Sequence, residues 1–242
     1  YETQNYAIAE SHEPGSTFKL MDLIAVLDDK KADTSTVYDS KGGRIEYYGR
    51  SVKDSNGKGY GKISLARGFE LSSNTILVQS VYDSYKNNPK QFVDRINSYG
   101  LNKPLGLPIK GEGKPVIPQP GTNRWSGVAL PWMAFGYGLS VTTLQTLTLY
   151  NAVANDGVMV KPIFVSEIKE WNKTIKKYNT EVINPKICSQ ETLDKVQAVL
   201  ENVVKKGTGS KLYSKDFSMA GKTGTAQVNY KDKSKLYYAS SF

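Results

Sequence analysis

Apolar residues recur at three- and four-residue steps in five segments of the chain, a spacing that predicts helices with one buried face. The first segment follows Glu13-Pro14-Gly15, which favours a helix start at Ser16. Another is interrupted by the polar run Ser72-Ser73-Asn74, which predicts two helices joined at that point. The predicted helical segments are residues 16–29, 63–85, 89–99, 142–154 and 191–206.

Polar and strand-forming stretches separate the helical segments. Residues 33–62 are rich in Gly, Ser, Asp and Tyr, which predicts loops with short strands such as 44–48, an insertion beside the core. Residues 101–124 are rich in Pro and Gly and predict a long loop of the kind that often lines a binding site. Further strands are predicted over 158–165, 218–229 and 236–242, the last two joined by a charged hairpin loop at 230–235.

The length and composition indicate one enzyme-sized globular domain. A chain of 242 residues can bury a substantial core. Its content of 39% hydrophobic and 23% charged residues is typical of globular proteins. No window approaches the roughly 18 to 20 apolar residues of a membrane span, and the N-terminus lacks a signal-peptide layout. The abrupt start at Tyr1 and the stop at Phe242 indicate a domain, residues 1–242, cut from a larger protein.

The net charge of +9 raises the possibility of a nucleic-acid partner. However, the lysines are scattered in short clusters such as Lys176-Lys177 and Lys205-Lys206, which indicates a solvated surface. No zinc-finger spacing, RNA-binding aromatic signature or helix-turn-helix pattern is present, so we expect no nucleic acid to bind.

Single cysteine and histidine residues narrow the possible chemistry. Cys188 has no partner for a disulfide or a multi-cysteine metal site, and its apolar neighbour Ile187 indicates simple burial. His12 is the one imidazole available to a Ser-His-Asp, Cys-His or metal site, and its polar surroundings favour a surface position. We expect no metal, and the base of any serine enzyme here would be a lysine or a carboxylate.

The first candidate motif is Ser16-Thr17-Phe18-Lys19, which places a hydroxyl and an amine on one face of a helix. The bare spacing is weak evidence, since it recurs at residues 55–58 and 166–169. The context of the first copy is stronger, because a helix start offers unpaired N–H groups to a developing oxyanion. The apolar neighbours Phe18 and Leu20 would disfavour the charged form of Lys19, so that it could act as a base.

Two further motifs stand later in the chain. Ser72-Ser73-Asn74 lies at a break between helices, where its side chains could enter a cleft or could simply cap a helix. Lys222-Thr223-Gly224-Thr225 lies in a predicted strand, whose alternation puts Thr223 and Thr225 on one face. Two hydroxyls beside a lysine would bind a carboxylate, and Gly224 would admit a close approach. An ordinary strand and turn is the alternative.

The three motifs in this order form a signature of serine β-lactamases and penicillin-binding proteins. The chain resembles class B penicillin-binding proteins, with the monofunctional division-type transpeptidases closest. The resemblance lies in Glu13 to Lys19, Ser72 to Asn74 and Ala220-Gly221-Lys222-Thr223-Gly224-Thr225-Ala226-Gln227. This resemblance implies the α/β (α+β) transpeptidase fold of that group, an antiparallel sheet flanked by helices. It also implies that the family's strands before the first motif and after the third are absent or cut short here.

The resemblance also implies roles for these residues. Ser16 would attack the carbonyl of a D-Ala-D-Ala stem peptide and form an acyl-enzyme, with Lys19 as the base. Ser72, helped by Lys222, would pass the proton to the leaving amine, and Asn74 would hold the peptide amide of the substrate.

Substrate binding would fall to the third motif. Thr223 and Thr225 would bind the terminal carboxylate, with Gly224 between them. The backbone N–H groups of Ser16 and Thr225 would form the oxyanion hole. No cofactor is implied.

The implied partners are peptidoglycan stem peptides and β-lactam antibiotics, and in the parent protein a glycosyltransferase and divisome proteins. The implied location is the extracytoplasmic face of the cytoplasmic membrane. Two alternatives share these features: a serine β-lactamase or β-lactam sensor, and a non-catalytic divisome scaffold. The chain lacks a Glu-x-x-Leu-Asn segment to supply a deacylating glutamate, and Asn74 stands where class D β-lactamases have a hydrophobic residue.

Overall fold

A computed structural model describes residues 4–228 and 237–242 of the chain. Helices supply most of its regular structure, and within the described residues none is long and apolar enough to cross a bilayer. The α-helices are α1 (Tyr6–Ala9), α2 (Lys19–Asp28), α3 (Leu65–Glu70), α4 (Asn74–Tyr85), α5 (Pro89–Ser98), α6 (Ala129–Met133), α7 (Thr143–Ala154) and α8 (Gln190–Lys206). Three 3₁₀ turns span Gly15–Phe18, Lys41–Gly43 and Ser210–Leu212.

The strands in the described ranges pair two by two, and every pair is antiparallel. They are β1 (Ser11–His12), β2 (Val37–Asp39), β3 (Arg44–Tyr47), β4 (Arg50–Lys53), β5 (Lys62–Ser64), β6 (Val141–Thr142), β7 (Met159–Val160), β8 (Glu167–Glu170), β9 (Lys173–Lys177), β10 (Val182–Asn184), β11 (Gly224–Val228) and β12 (Tyr237–Ser241). The pairs are β1 with β6, β2 with β5, β3 with β4, β7 with β10, β8 with β9, and β11 with β12.

Helix α2 is the centre of the hydrophobic core. All its residues from Lys19 to Leu27 are buried, and it packs against α4, α5 and α8. A helix whose residues are almost all apolar is stable only when other elements surround it. Each of its leucines and isoleucines contributes about 1.5–3 kcal/mol by leaving water. This burial fixes the position of Lys19 at the first turn of the helix.

The structure confirms the five predicted helical segments and the break at residues 72–74. Ser16 lies in a 3₁₀ turn, and the α-helix itself begins at Lys19. Residues 33–62 contain short strands, including the predicted hairpin strand Arg44–Tyr47, and the loop at 101–124 has no helix or strand.

Two strand predictions were too long. The segment 158–165 is a strand only at Met159–Val160, because Pro162 has no N–H to donate and residues 163–165 are exposed. The strand predicted from residue 218 begins at Gly224, so Lys222 and Thr223 precede it. The hairpin loop predicted at 230–235 lies outside the described residues.

Two glycines bring distant segments into contact at the start of the 3₁₀ turn. The Gly15 N–H donates to the carbonyl of Gly136 at 3.1 Å. Gly136 has a φ of +82°, and a Cβ there would lie 2.0 Å from the Gly15 carbonyl oxygen. Only glycine allows this approach, which ties the loop after α6 to the turn that carries Ser16.

We expect Gly136→Ala to destabilise the protein far more than Gly121→Ala. Gly121 has nearly the same φ, +83°, but nothing lies within 4 Å of its added Cβ. Gly121→Ala should lower the free energy of unfolding by about 1 kcal/mol through backbone strain alone. Gly136→Ala should lower it by about 3 kcal/mol or more, because the carbonyl contact adds to that strain. Urea unfolding measures both, and equal losses would contradict the close contact.

Candidate active site

Ser16 is the accessible residue of an otherwise buried segment. All residues from Pro14 to Leu27 except Ser16 are buried, and Ser16 is partly exposed. The Thr17 hydroxyl donates to the Pro14 carbonyl at 2.8 Å and the Tyr150 hydroxyl donates to the Thr17 carbonyl at 2.9 Å, so the turn is held from both sides. The Ser16 hydroxyl is thereby presented to solvent from a rigid support.

Lys19 is fully buried, with 0% of its surface exposed. Its Nζ donates to Asn74 Oδ1 at 2.6 Å, to the Ser72 carbonyl at 2.7 Å and to Ser72 Oγ at 3.4 Å. Burial lowers the pKa of Lys19 to about 7, while the negative charges of Asp54 and Asp22 act in the opposite direction. Near neutral pH a substantial fraction of this amine is therefore unprotonated and able to accept a proton.

Ser72 has a φ of +56°, a conformation that non-glycine residues rarely adopt. In this conformation its carbonyl and its hydroxyl both face the Lys19 amine. The same hydroxyl accepts a hydrogen bond from Lys222 Nζ at 2.7 Å. The unusual backbone angle thus places the Ser72 hydroxyl between two lysine amines.

Lys222 is also buried, with 1% of its surface exposed. Besides Ser72 Oγ, its Nζ donates to the Thr223 carbonyl at 2.8 Å and lies 5.6 Å from the centre of the Phe69 ring. Burial holds the pKa of Lys222 well below its usual value, and the like charge of Lys19 acts in the same direction. The three motifs therefore meet around one pair of buried amines.

Strand β11 runs beside the Ser16 turn. A Cβ on Gly15 would lie 3.1 Å from the Thr225 carbonyl oxygen, and one on Gly224 would lie 2.8 Å from Thr17 Cγ2. Gly224 and Ala226 are buried while Thr225 is exposed, which agrees with the predicted alternation along this strand. Glycine at both positions lets the strand edge reach the turn, as the sequence predicted for Gly224.

The sequence analysis did not assign three residues to this region: Asp22, Asp54 and Thr208. The Thr208 and Thr223 hydroxyls are hydrogen-bonded at 2.6 Å. Asp22 follows Lys19 by one helical turn, and burial raises the pKa of its carboxyl well above the usual value. Asp54 binds the turn that contains the second motif. A carboxylate within the apolar run of α2 could have been noticed, whereas Asp54 lies in a polar segment that gives no such signal.

The remaining candidates are not part of this hydrogen-bonded cluster, although His12 lines the same cavity as Thr17 and Lys222. Ser55 and Ser166, which begin the two other Ser-x-x-Lys matches, are exposed. Cys188 is buried as predicted, and burial raises the pKa of its thiol to about 11. His12, in β1, is only partly exposed, because it pairs with Val141 of β6 and lines an apolar cavity together with Thr17.

Relatives of known name match nearly the whole chain. Stage V sporulation protein D of Bacillus subtilis is 28% identical over 93% of this chain and 34% of its own length. Penicillin-binding protein PbpB of Mycobacterium tuberculosis is 30% identical over 92% of this chain and 33% of its own length. The chain thus spans about a third of the length of these relatives.

Solved structures give the same result. The D,D-transpeptidase domain of a peptidoglycan glycosyltransferase from Eggerthella lenta is 28% identical with a TM-score of 0.84, covering 98% of this chain and 58% of its own. Penicillin-binding protein 3 of Mycobacterium tuberculosis, solved with aztreonam, is 27% identical with a TM-score of 0.81, covering 98% and 53%. The family described as the penicillin binding protein transpeptidase domain matches residues 2–242, and the chain belongs to that family.

Proposed function

We propose that this chain is the catalytic part of a peptidoglycan D,D-transpeptidase that is acylated by β-lactams. One observation carries the proposal: Lys19 and Lys222, both buried and with lowered pKa values, donate to the same Ser72 hydroxyl. Lys19 also lies one helical turn after the partly exposed Ser16. An arrangement that keeps lysines near neutrality suits proton transfer at a serine nucleophile. Relatives named peptidoglycan D,D-transpeptidase, such as FtsI of Escherichia coli at 28% identity, support the same reaction.

In the first step, Ser16 Oγ bonds to the carbonyl carbon of the penultimate D-Ala while its proton passes to neutral Lys19. The carbonyl oxygen becomes an oxyanion, which the N–H groups of Ser16 and Thr225 would stabilise by about 3 kcal/mol per donor. The close approach of Gly15 to the Thr225 carbonyl, which a Cβ on Gly15 would meet at 3.1 Å, supports this assignment because it puts strand β11 next to the Ser16 turn. No hydrogen bond joins Lys19 Nζ to Ser16 Oγ within the described chain, and we expect this bond to form when substrate arrives.

In the second step, the bond to the terminal D-Ala breaks and its nitrogen takes up a proton. Ser72 can relay this proton, because its hydroxyl contacts both Lys19 and Lys222. The hydroxyls of Thr223 and Thr225, next to Lys222, would bind the terminal carboxylate. The Thr208 hydroxyl is hydrogen-bonded to the Thr223 hydroxyl and would orient it toward the carboxylate.

Asn74 has two roles in this scheme. Its Oδ1 and Nδ2 already bind Lys19 and the Lys53 carbonyl, at 2.6 and 2.7 Å. Within residues 4–228 and 237–242, one N–H and one lone pair of this amide have no partner, and these suffice to hold the peptide amide of the substrate.

The cycle closes when the amine of a neighbouring stem peptide attacks the acyl carbon: the new amide bond forms, the ester bond to Ser16 Oγ breaks, and the proton lost by the amine returns to Ser16 Oγ through Lys19. A β-lactam ring acylates Ser16 in the same way and leaves an ester that is slowly hydrolysed. In the parent protein we place this domain at the extracytoplasmic face of the cytoplasmic membrane, working with a glycosyltransferase and divisome proteins.

Ser16→Ala should abolish covalent labelling by penicillin, because the attacking oxygen is lost. Ser55→Ala is the matched control, since Ser55 begins an exposed Ser-x-x-Lys match and should label like wild type. The mass of the intact protein after incubation with penicillin measures both. A labelled Ser16→Ala variant would disprove the assignment. Sustained turnover of nitrocefin by wild type would instead indicate a β-lactamase.

The rate of acylation by penicillin should fall about tenfold per pH unit below pH 7 and level off above it. The reason is that Lys19, with a pKa of about 7, accepts the Ser16 proton only when it is neutral. Lys19→Arg should lower the rate at least about a hundredfold at every pH, since a guanidinium does not deprotonate.

Stopped-flow mixing with a chromogenic β-lactam measures these rates, and thermal unfolding confirms that Lys19→Arg is folded. A rate that stays constant between about pH 5 and pH 8 would contradict the assignment of Lys19 as the base.

A further inference from the structure

The loop after β4 holds the second motif from outside the cluster. Asp54 is buried, and its carboxylate accepts hydrogen bonds from two residues at the start of α4. The Ser73 hydroxyl donates to Oδ1 at 3.0 Å and to Oδ2 at 3.2 Å. The Thr75 backbone N–H donates to Oδ1 at 3.0 Å and the Thr75 hydroxyl to Oδ2 at 2.8 Å. Four hydrogen bonds thus join this carboxylate to the residues on either side of Asn74.

Lys53, the residue before Asp54, determines the orientation of the Asn74 side-chain amide. Asn74 Nδ2 donates to the Lys53 carbonyl at 2.7 Å, which leaves Oδ1 facing Lys19 Nζ at 2.6 Å. The opposite orientation would bring an NH₂ group against the lysine amine and an oxygen against the carbonyl. Asp54 is itself anchored at the open end of the β3–β4 hairpin, because its N–H donates to the Gly43 carbonyl at 2.9 Å.

We propose that Asp54 is a positioning residue for the reaction proposed above: it holds the turn that presents Ser72 and Asn74 to the Lys19 amine. The polar segment that looks like an insertion is then part of the active site. This inference rests on the proposed function, because it concerns the same base.

The charge of Asp54 opposes the effect of burial on Lys19. Burial favours the neutral amine, and Asp54 is the larger of the two carboxylate influences that favour the charged form. The second is Asp22 on α2, the helix of Lys19 itself, and Lys222 faces the amine from the segment before β11 with a like charge. Loss of the Asp54 charge should therefore make Lys19 deprotonate at a lower pH.

A purely structural role for Asp54 is the simpler alternative. Helix α4 already has its own cap, because the Ser73 hydroxyl accepts from the Ile76 N–H at 3.2 Å. If Asp54 only reinforced this cap, its loss would reduce stability and leave the pH dependence of acylation unchanged. The two readings therefore differ in a measurement other than stability.

The first test is Asp54→Asn, which keeps the shape of the side chain and removes its charge. The acid limb of acylation by penicillin should move about one pH unit lower. The pKa of the Lys19 amine, followed by NMR of ¹³C-labelled lysine, should fall by the same amount. Asp156→Asn, in the exposed turn after α7, is the matched control and should leave both unchanged.

The second test is Asp54→Ala, which also removes the hydrogen bonds to Ser73 and Thr75. Its maximal acylation rate should be at least about tenfold below that of Asp54→Asn, because Asn74 and Ser72 are no longer held. Thermal unfolding identifies a variant that fails to fold, and Thr75→Val, which deletes one of the bonds, then replaces it with the same expectation of a lower maximal rate.

Two results would overturn the inference: an acid limb and lysine pKa in Asp54→Asn that match wild type, or a maximal rate in the folded positioning variant equal to that of Asp54→Asn. The proposed function would still stand if wild type is acylated at Ser16. Conversely, the absence of any acylation in wild type would reject the proposed function, and the NMR titration would still test the influence of Asp54 on Lys19.

Discussion

The burial of one lysine amine is the constraint on which this site depends. Lys19 has no exposed surface and lies in the first turn of a helix that is buried on every side. A fully buried ammonium is costly unless acceptors surround it, and here Asn74 and the strained Ser72 supply them. The balance between the cost of burial and these contacts brings the pKa of the amine to about 7, within reach of proton transfer at neutral pH.

Close backbone contact is the second requirement. The turn that carries Ser16 meets the loop at Gly136 and the strand at Gly224, and a side chain at either glycine would collide with a neighbour. These contacts join segments more than a hundred residues apart in the chain. They explain how an exposed hydroxyl can be rigid, since the turn below it is clamped on two sides.

The polar segment between α2 and α3 has a larger part than its composition suggests. Its hairpin supplies the Lys53 carbonyl and the Asp54 carboxylate to the turn of the second motif. In the sequence such a segment resembles an exposed insertion, because its hydrophilic residues show no periodicity. Its function depends on contacts with residues some twenty positions away, which no local pattern encodes.

Local spacing and the order of motifs along the chain were enough to predict the helices, the break at residues 72–74 and the members of the three motifs. The burial of Lys19 could be anticipated from its apolar neighbours. The sequence did not reveal that Ser72 has a positive φ or that its hydroxyl accepts from both Lys19 and Lys222. Nor did it reveal that Asp54 and Thr208 are hydrogen-bonded to residues of the second and third motifs. These features arise only when distant segments pack together, since the energy of a buried charge or hydrogen bond depends on what surrounds it in space. Only the folded chain therefore sets the surroundings of Ser16, whose position the motifs had already indicated.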